Sequence, residues 1–259
     1  RERKRRQAKP FALMARDMDV IRRYCDVNEQ EAALLRSTTA PIVLLRRKAE
    51  ASPLPETIAP GQSLLGFMLP YSPLHHLLLE SFETPLVMTS GNLSDEPQAI
   101  ANADARQRLG TIEDYLLLHD REIVNRVDDS VVRVINGRER ILRRARGYAP
   151  ASLPLPAGFG KTPAILALGG ELKNSFCLVH HGEAILSQHM GDLEDFSTFG
   201  DYLKNLDLYA RLYRHEPDII AIDAHPDYLS SKHGRELAGQ TGSHRLHQAQ
   251  PGELLGGYV

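Results

Sequence analysis

Three groups of residues carry side chains able to handle a phosphate or an acyl group. Near the start, RERKRRQAKP puts Lys4, Arg6 and Lys9 close together, ahead of an apolar stretch at residues 11–14. Arginine offers a flat fork of donors matched to phosphate oxygens, and lysine a mobile point charge. In the middle, TPLVMTSGNLS (residues 84–94) breaks a short apolar run at Thr89-Ser90-Gly91-Asn92. These residues donate, accept or tolerate positive φ, which places Ser90 and Asn92 at the carboxyl edge of a sheet, where open α/β sheets take ligands. Farther on, Asp128-Asp129-Ser130 leads into a hairpin whose second arm runs into Arg143, Arg144 and Arg146, a set suited to phosphate. Each group also has a plainer reading. These are a solvated basic terminus or nucleic-acid patch, a strand-to-helix turn capped by Ser94 or Asp95, and a cation-rich edge strand.

The elements that must position these residues follow from periodicity and punctuation. Apolar runs predict strands at residues 11–14, 41–45, 64–69, 85–88 (read as buried) and 115–118. Helices are predicted from an Asp17 cap through Tyr24, over 29–36, over 73–82 (PLHHLLLESF, with Pro at its first turn, read as buried) and over 104–109. The adjacent His75 and His76 point in different directions on such a helix and make a poor metal pair. Asn136-Gly137 is a strong hairpin signal, joining arms at 131–135 and 140–144.

Four prolines and two glycines in APASLPLPAGFGKTP (149–163) predict a linker and a domain boundary. Beyond it, strands are expected at 164–168, ending in Gly169-Gly170, and at 175–179, 184–187 and 218–222. Helices are expected at 196–214, with Phe199, Leu203, Leu206, Tyr209, Ala210 and Tyr213 near one face, and at 228–238. Three strands, a helix, a strand and a helix is how one lobe of an actin-like nucleotide fold begins, where a glycine turn can meet phosphate. Asp223 and His225 flank a strand end, as possible ligands or as a self-satisfied turn.

Composition excludes other classes. A length of 259 residues allows one large domain or two, and a net charge of −2 argues against a generally basic nucleic-acid binder, although six of the first nine residues are Lys or Arg. Two cysteines are too few for a disulfide framework or a cysteine metal site and point to a reducing cytoplasm. No apolar run is long enough to span a membrane, and no signal peptide is visible. The abrupt RERKRR opening without Met leads to the expectation of a piece of a longer protein.

The ordered series Lys4-x-Arg6 with Lys9-Pro10, PYSPLHHLLL, TSGNLS, DDSVVR and LRRARGY resembles the YrdC-like domain of the HypF hydrogenase-maturation carbamoyltransferases. LGGELKNSFCLV, SQHMGDL and DAHPDYLS look like the opening of that family's actin-like (ASKHA) carbamoyl-transfer domain. The resemblance implies an α/β fold: a twisted mixed YrdC-like sheet of α+β character over 1–149, a proline-rich linker at 150–163, and part of the actin-like domain over 164–259. It implies ATP, with Mg, as cofactor. The chemistry implied is conversion of a carbamoyl group from carbamoyl phosphate to carbamoyl-adenylate, then its passage to a cysteine thiol of a hydrogenase-maturation partner protein. Carried over by motif, Lys4, Arg6, Ser90 and Asn92 would hold the phosphates and the carbamoyl group, with Ser130 and Arg143 nearby. Lys173, Asn174, Asp223 and His225 would line a pocket in the second domain.

The family also implies acylphosphatase and zinc-binding domains and an earlier part of the YrdC-like fold ahead of Arg1, and a zinc or iron site from a histidine cluster that should follow residue 250. Here PGELLGGYV follows instead, looking like a strand from farther along that domain. His225, His233, His244 and His247 are scattered, so no metal is expected in the second domain. Two rival functions share parts of the pattern. A threonylcarbamoyl-adenylate synthase of tRNA modification would not need the second domain. A non-enzymatic RNA-binding or regulatory module would use the Lys4–Lys9 patch and lose affinity steeply with salt.

Overall fold

The computed structural model describes residues 1–6, 8–49, 54–93, 96–241 and 245–249. The proposed Ser94 or Asp95 cap, His244 and the stretch 251–259 lie outside them. The chain divides into two compact units, Arg1–Gly147 and Tyr148–Val259.

In the first unit the elements run β1 (Ala12–Met14), α1 (Met18–Tyr24), β2 (Cys25–Asp26), α2 (Glu29–Arg36), β3 (Ile42–Arg47), β4 (Leu64–Met68) and α3 (Pro73–Leu79). They continue with β5 (Leu86–Met88), α4 (Asn102–Leu109), β6 (Val131–Ile135) and β7 (Arg138–Arg143). The strands form one mixed sheet ordered β5-β1-β4-β3-β6-β7, with β2 added to the far end of β3. Asp17 accepts from Val20 N to start α1, and Asn28 and Glu31 form a reciprocal capping box on α2. Alternation then sorts the two sheet faces. Leu13, Val43, Leu45, Phe67 and Val132 are fully buried on one face, with Ala32 and Leu35 of α2 in the same core. On the other face Met14, Ile42 and Met68 cluster with Leu79 of α3.

Two expectations of burial fail here. Among the described residues β5 is an edge strand paired with β1 alone, so Val87, although opposite the buried Leu13, stays exposed at the rim of that face. Helix α3 buries one residue, Leu79; Leu74, Leu77 and Leu78 point to solvent, because a helix apolar all round has only one side against the sheet. Residues 115–118 form no strand and leave Tyr115 and Leu117 exposed, so this apolar run has no neighbour to pair with. The hairpin does form. Asn136 (φ +52°) and Gly137 (φ +70°) both adopt the left-handed conformation its two-residue turn needs.

In the second unit the elements are β8 (Leu153–Pro154), β9 (Ile165–Ala167), β10 (Cys177–His180), β11 (Glu183–Leu186), α5 (Phe196–Tyr213), β12 (Ile219–Asp223), α6 (Leu229–Thr241) and β13 (Arg245–Ala249). The sheet order is β13-β12-β9-β10-β11-β8, parallel across β13, β12 and β9 and antiparallel beyond. Two residues of the proline-rich stretch thus pair with β11. Helix α5 starts on Asp195, which accepts from Thr198 N. Its buried face carries Leu206 and Tyr209 as expected, with Phe199, Leu203 and Tyr213 packed against the same core, and it extends to Tyr202 and Asn205, which the spacing does not include. The reason is polar. Gln188 donates to Asn205 Oδ1 (2.8 Å) and accepts from Tyr209 Oη (2.8 Å), a network that apolar periodicity does not register.

Candidate functional site

Lys4 sits where the first two sequence groups meet. A tight turn, with Arg5 N donating to Glu2 O (2.8 Å) and Arg5 at φ +53°, precedes a side chain that is only 5% exposed. Its Nζ donates to the Ser90 carbonyl and to Asn92 Oδ1 (2.9 Å). Ser90 Oγ donates to the same Asn92 oxygen (2.6 Å), and Asn92 Nδ2 donates to the Glu96 carbonyl. The Thr89–Asn92 turn is thus a preformed polar cradle on a buried cation, and the Ser90 and Asn92 side chains remain partly open to solvent. Gly91 does not adopt positive φ, and a Cβ there would meet only Leu109 Cδ1 at 3.6 Å, so nothing within the chain demands glycine at this position.

The electrostatics mark this as a place for an anion. Burial, then the charges of Arg6 and Lys9, pushes the Lys4 ammonium down to about 8. The Arg6 guanidinium is also lowered, by burial and then by Arg1 and Arg143. Arg6 lies over the Phe11 ring (4.8 Å) and donates through Nε to the Lys9 carbonyl (2.9 Å). Like charges that depress one another are stabilised when an anion arrives between them.

The Asp128–Ser130 segment and the arginines form the adjoining wall. Arg143 Nε donates to the Asp129 carbonyl (2.8 Å), and its Nη1 lies 3.5 Å from Asp128 Oδ2. Ser130 is fully buried; it donates to the Arg146 carbonyl (3.0 Å) and accepts from Ala145 N (2.8 Å). Its hydroxyl therefore staples the start of β6 to the segment after β7. Arg146 is a brace too: it pairs with Asp129 (2.9 Å), donates to the Thr39 and Ala40 carbonyls, and lies 3.6 Å over the Tyr71 ring. Of the three arginines read as phosphate ligands, Arg146 is thus committed to holding the wall. Gly147 (φ +87°) closes it, since a Cβ there would come within 2.3 Å of the Thr39 carbonyl. Thr39, Tyr71 and Gln98, whose Nε2 donates to Asp128 Oδ1 (2.9 Å), complete the wall without any local sequence signal. His75 packs edge-on against Tyr71 (4.5 Å), and its imidazole pKa is lowered chiefly by burial.

In the second unit the carboxyl edges of β9 and β12 adjoin. Asn174 is buried and donates to the Leu168 (3.0 Å) and Gly170 (2.6 Å) carbonyls, pinning the glycine turn. Ser230 and Tyr202 donate to carbonyls of the same turn, at Gly169 and Leu168. Lys173 is exposed, in the left-handed region (φ +50°), with its N–H donating to Asp192 Oδ1 (2.7 Å). Asp223 Oδ1 accepts from His225 N (2.8 Å), and the His225 ring stacks on Tyr228 (4.2 Å) with Nδ1 accepting from Asp227 N. These two residues form a turn whose hydrogen bonds are met locally.

The donor set fits a nucleotide better than a protein-bound metal. Asp128 and Asp129, the carboxylates of the wall, are already engaged by Gln98, Arg143 and Arg146. Among the described residues no three His, Cys, Asp or Glu side chains converge for a metal ion. No helix of the described residues is long and apolar enough to cross a membrane.

Comparison with known proteins agrees with the two-unit architecture. Residues 1–145 match the family profile described as Telomere recombination (Sua5/YciO/YrdC), and residues 160–250 match the HypF Kae1-like domain. Carbamoyltransferase HypF of Rhodobacter capsulatus is 50% identical over 242 residues, covering 93% of this chain and 32% of that protein. Carbamoyltransferase HypF of Synechocystis sp. is 44% identical over 238 residues, covering 92% and 31%. The chain therefore spans about a third of the length of these relatives. The crystal structure of full-length HypF in the phosphate- and nucleotide-bound form superposes with a TM-score of 0.86 at 42% identity, covering 96% of this chain and 38% of that one. Over its first unit the chain belongs to the Sua5/YciO/YrdC family, and its two units together correspond to a segment of the HypF proteins.

Proposed function

We propose that the first unit binds ATP at the Lys4–Arg6–Ser90–Asn92 cradle and forms carbamoyl-adenylate, as part of a carbamoyltransferase of hydrogenase maturation. In this reading water hydrolyses carbamoyl phosphate to carbamate and inorganic phosphate. A carbamate oxygen attacks the α-phosphorus of ATP and expels pyrophosphate, and a partner protein's cysteine sulfur later takes the carbamoyl carbon and releases AMP. Charge builds on phosphate oxygens during the first displacement, and preorganised cations stabilise it without reorganisation. Lys4, Arg6 and Arg143 would supply that positive field. The Ser90 hydroxyl and Asn92 amide would orient the carbamoyl group, while Ser130 and Arg146 hold the wall in place.

The observation that carries this reading is the buried Lys4, anchored on the Ser90–Asn92 turn, its pKa depressed chiefly by burial and then by Arg6 and Lys9. The nucleotide-bound HypF relative supports the choice of nucleotide. The Gly169–Gly170 turn with Asn174, and the neighbouring Lys173, Asp223 and His225, are the proposed second-unit pocket. Cytoplasmic localisation belongs to the same proposal. The test is exchange of labelled pyrophosphate into ATP, which should require carbamoyl phosphate and vanish in Lys4→Met. Exchange independent of carbamoyl phosphate, or supported by threonine with bicarbonate instead, would overturn it.

A further inference from the structure

A second charged surface lies toward the end of β3 away from the proposed nucleotide site. The register puts Leu44, Arg46, Leu64 and Arg133 on one side of the sheet, because Leu64 pairs with Arg46 and Val43 pairs with Val132. Arg46 is four residues beyond Ile42, the residue whose N–H meets Ser130 O, and therefore ~13 Å along the strand from the wall of that site. Two adjoining cavities of about 610 and 620 Å³ open here and share Arg46, Lys48, Leu64 and Arg133.

The cations of this groove are not neutralised from within. Among the described residues Arg46, Arg47 and Arg133 have no side-chain hydrogen-bond or ion-pair partner. Lys48 donates only to the Arg22 carbonyl (2.6 Å), and Arg22 reaches Asp19 at 3.8 Å on an exposed helix face. Of the two carboxylates in the lining, Glu31 is occupied by the Asn28 cap, which leaves Asp26. Among the described residues the second cavity is lined by four cations and no carboxylate. Leu44 and Leu64 contribute an apolar floor, and among the described residues no aromatic ring lines either cavity.

We propose that this groove is a docking site for an acidic, partly apolar peptide segment of a partner protein. Arginines in a row offer forked donors to successive carboxylates, and the leucine floor takes apolar side chains placed between them. A single-stranded nucleic acid would use aromatic platforms for its bases, and the groove has none. A small phosphate would be held in an enclosed pocket with converging donors, whereas these cations lie along an open trough. The site is independent of ATP chemistry.

The test is fluorescence anisotropy with a labelled peptide of repeated Glu-Val-Asp-Leu, against the same peptide carrying Gln and Asn for its acids. The acidic peptide should bind and weaken as salt is raised. It should bind at least tenfold more weakly to a double Arg46→Glu, Arg133→Glu variant whose ATP binding is unchanged. An Arg46→Ala, Arg133→Ala pair, which removes two of the four cations without introducing the opposite charge, covers the case in which charge reversal prevents folding and should lose binding in the same direction. Equal binding of the amide peptide, or indifference to both variant pairs, would overturn the proposal. Displacement of the peptide by equimolar oligouridylate or by inorganic pyrophosphate would overturn it in favour of a nucleic-acid or small-anion site.

Discussion

Lys4 and Asn92, 88 residues apart in the chain, share a hydrogen bond of 2.9 Å, and through it the basic opening segment and the strand-end turn become one site. The ammonium is buried, with Arg6 and Lys9 adding like charge, and it titrates at about 8 rather than 10.5. Keeping Lys4 charged in the fold therefore costs stability at low pH, and that cost is lifted as pH rises from about 8 toward 10.5. Nucleotide binding has the opposite dependence, because it uses the protonated form. ATP affinity is expected to fall as pH rises through about 8, by up to about tenfold per unit, and to be nearly flat from 8 to 9.5 in Lys4→Met. Titrations between pH 7 and 9.5 check this; affinity in the unsubstituted protein constant to pH 9.5 would contradict it.

Gly147→Ala should destabilise the first unit by at least ~1–3 kcal/mol, the cost of a non-glycine residue held in a sparsely populated conformation, with the clash on the Thr39 carbonyl in addition. Gly137→Ala also suffers positive φ but meets nothing within 4 Å, so it should cost less. Urea unfolding of the two variants gives the order; equal losses would show that the Thr39 contact yields without cost.

The division into 1–149, a linker at 150–163, and 164–259 is a proposal that limited proteolysis tests. Early cuts are expected within 155–163, beyond the β8 pairing, leaving two folded fragments. First cuts within 131–146 would place the boundary elsewhere.

Strands and helices with clear local signals were legible in the sequence: the Asp17 cap and the Asn136-Gly137 turn each depend on residues within a few positions of one another, whereas the Asn28–Glu31 box, just as local, was not picked out. Burial of β5 and α3 was not legible, since periodicity shows how apolar a segment is but not how many neighbours cover it. The Ser90–Asn92 turn could be picked out as chemistry, yet its anchoring by Lys4 joins residues at long range. Arg146 looked like a ligand until its partners Asp129, Thr39, Ala40 and Tyr71 came together in space, and Tyr202, at the margin of the apolar face of α5, showed its burial only once the Leu168 carbonyl stood beside its hydroxyl.

The account stands most directly on calorimetry of ATP against the unsubstituted chain and Asn92→Ala. Removing the amide leaves Lys4 Nζ and Ser90 Oγ without a shared acceptor in a largely buried setting, and ATP binding should weaken by ~1–3 kcal/mol. Unchanged ATP affinity in a well-folded Asn92→Ala protein would contradict the assignment of the site.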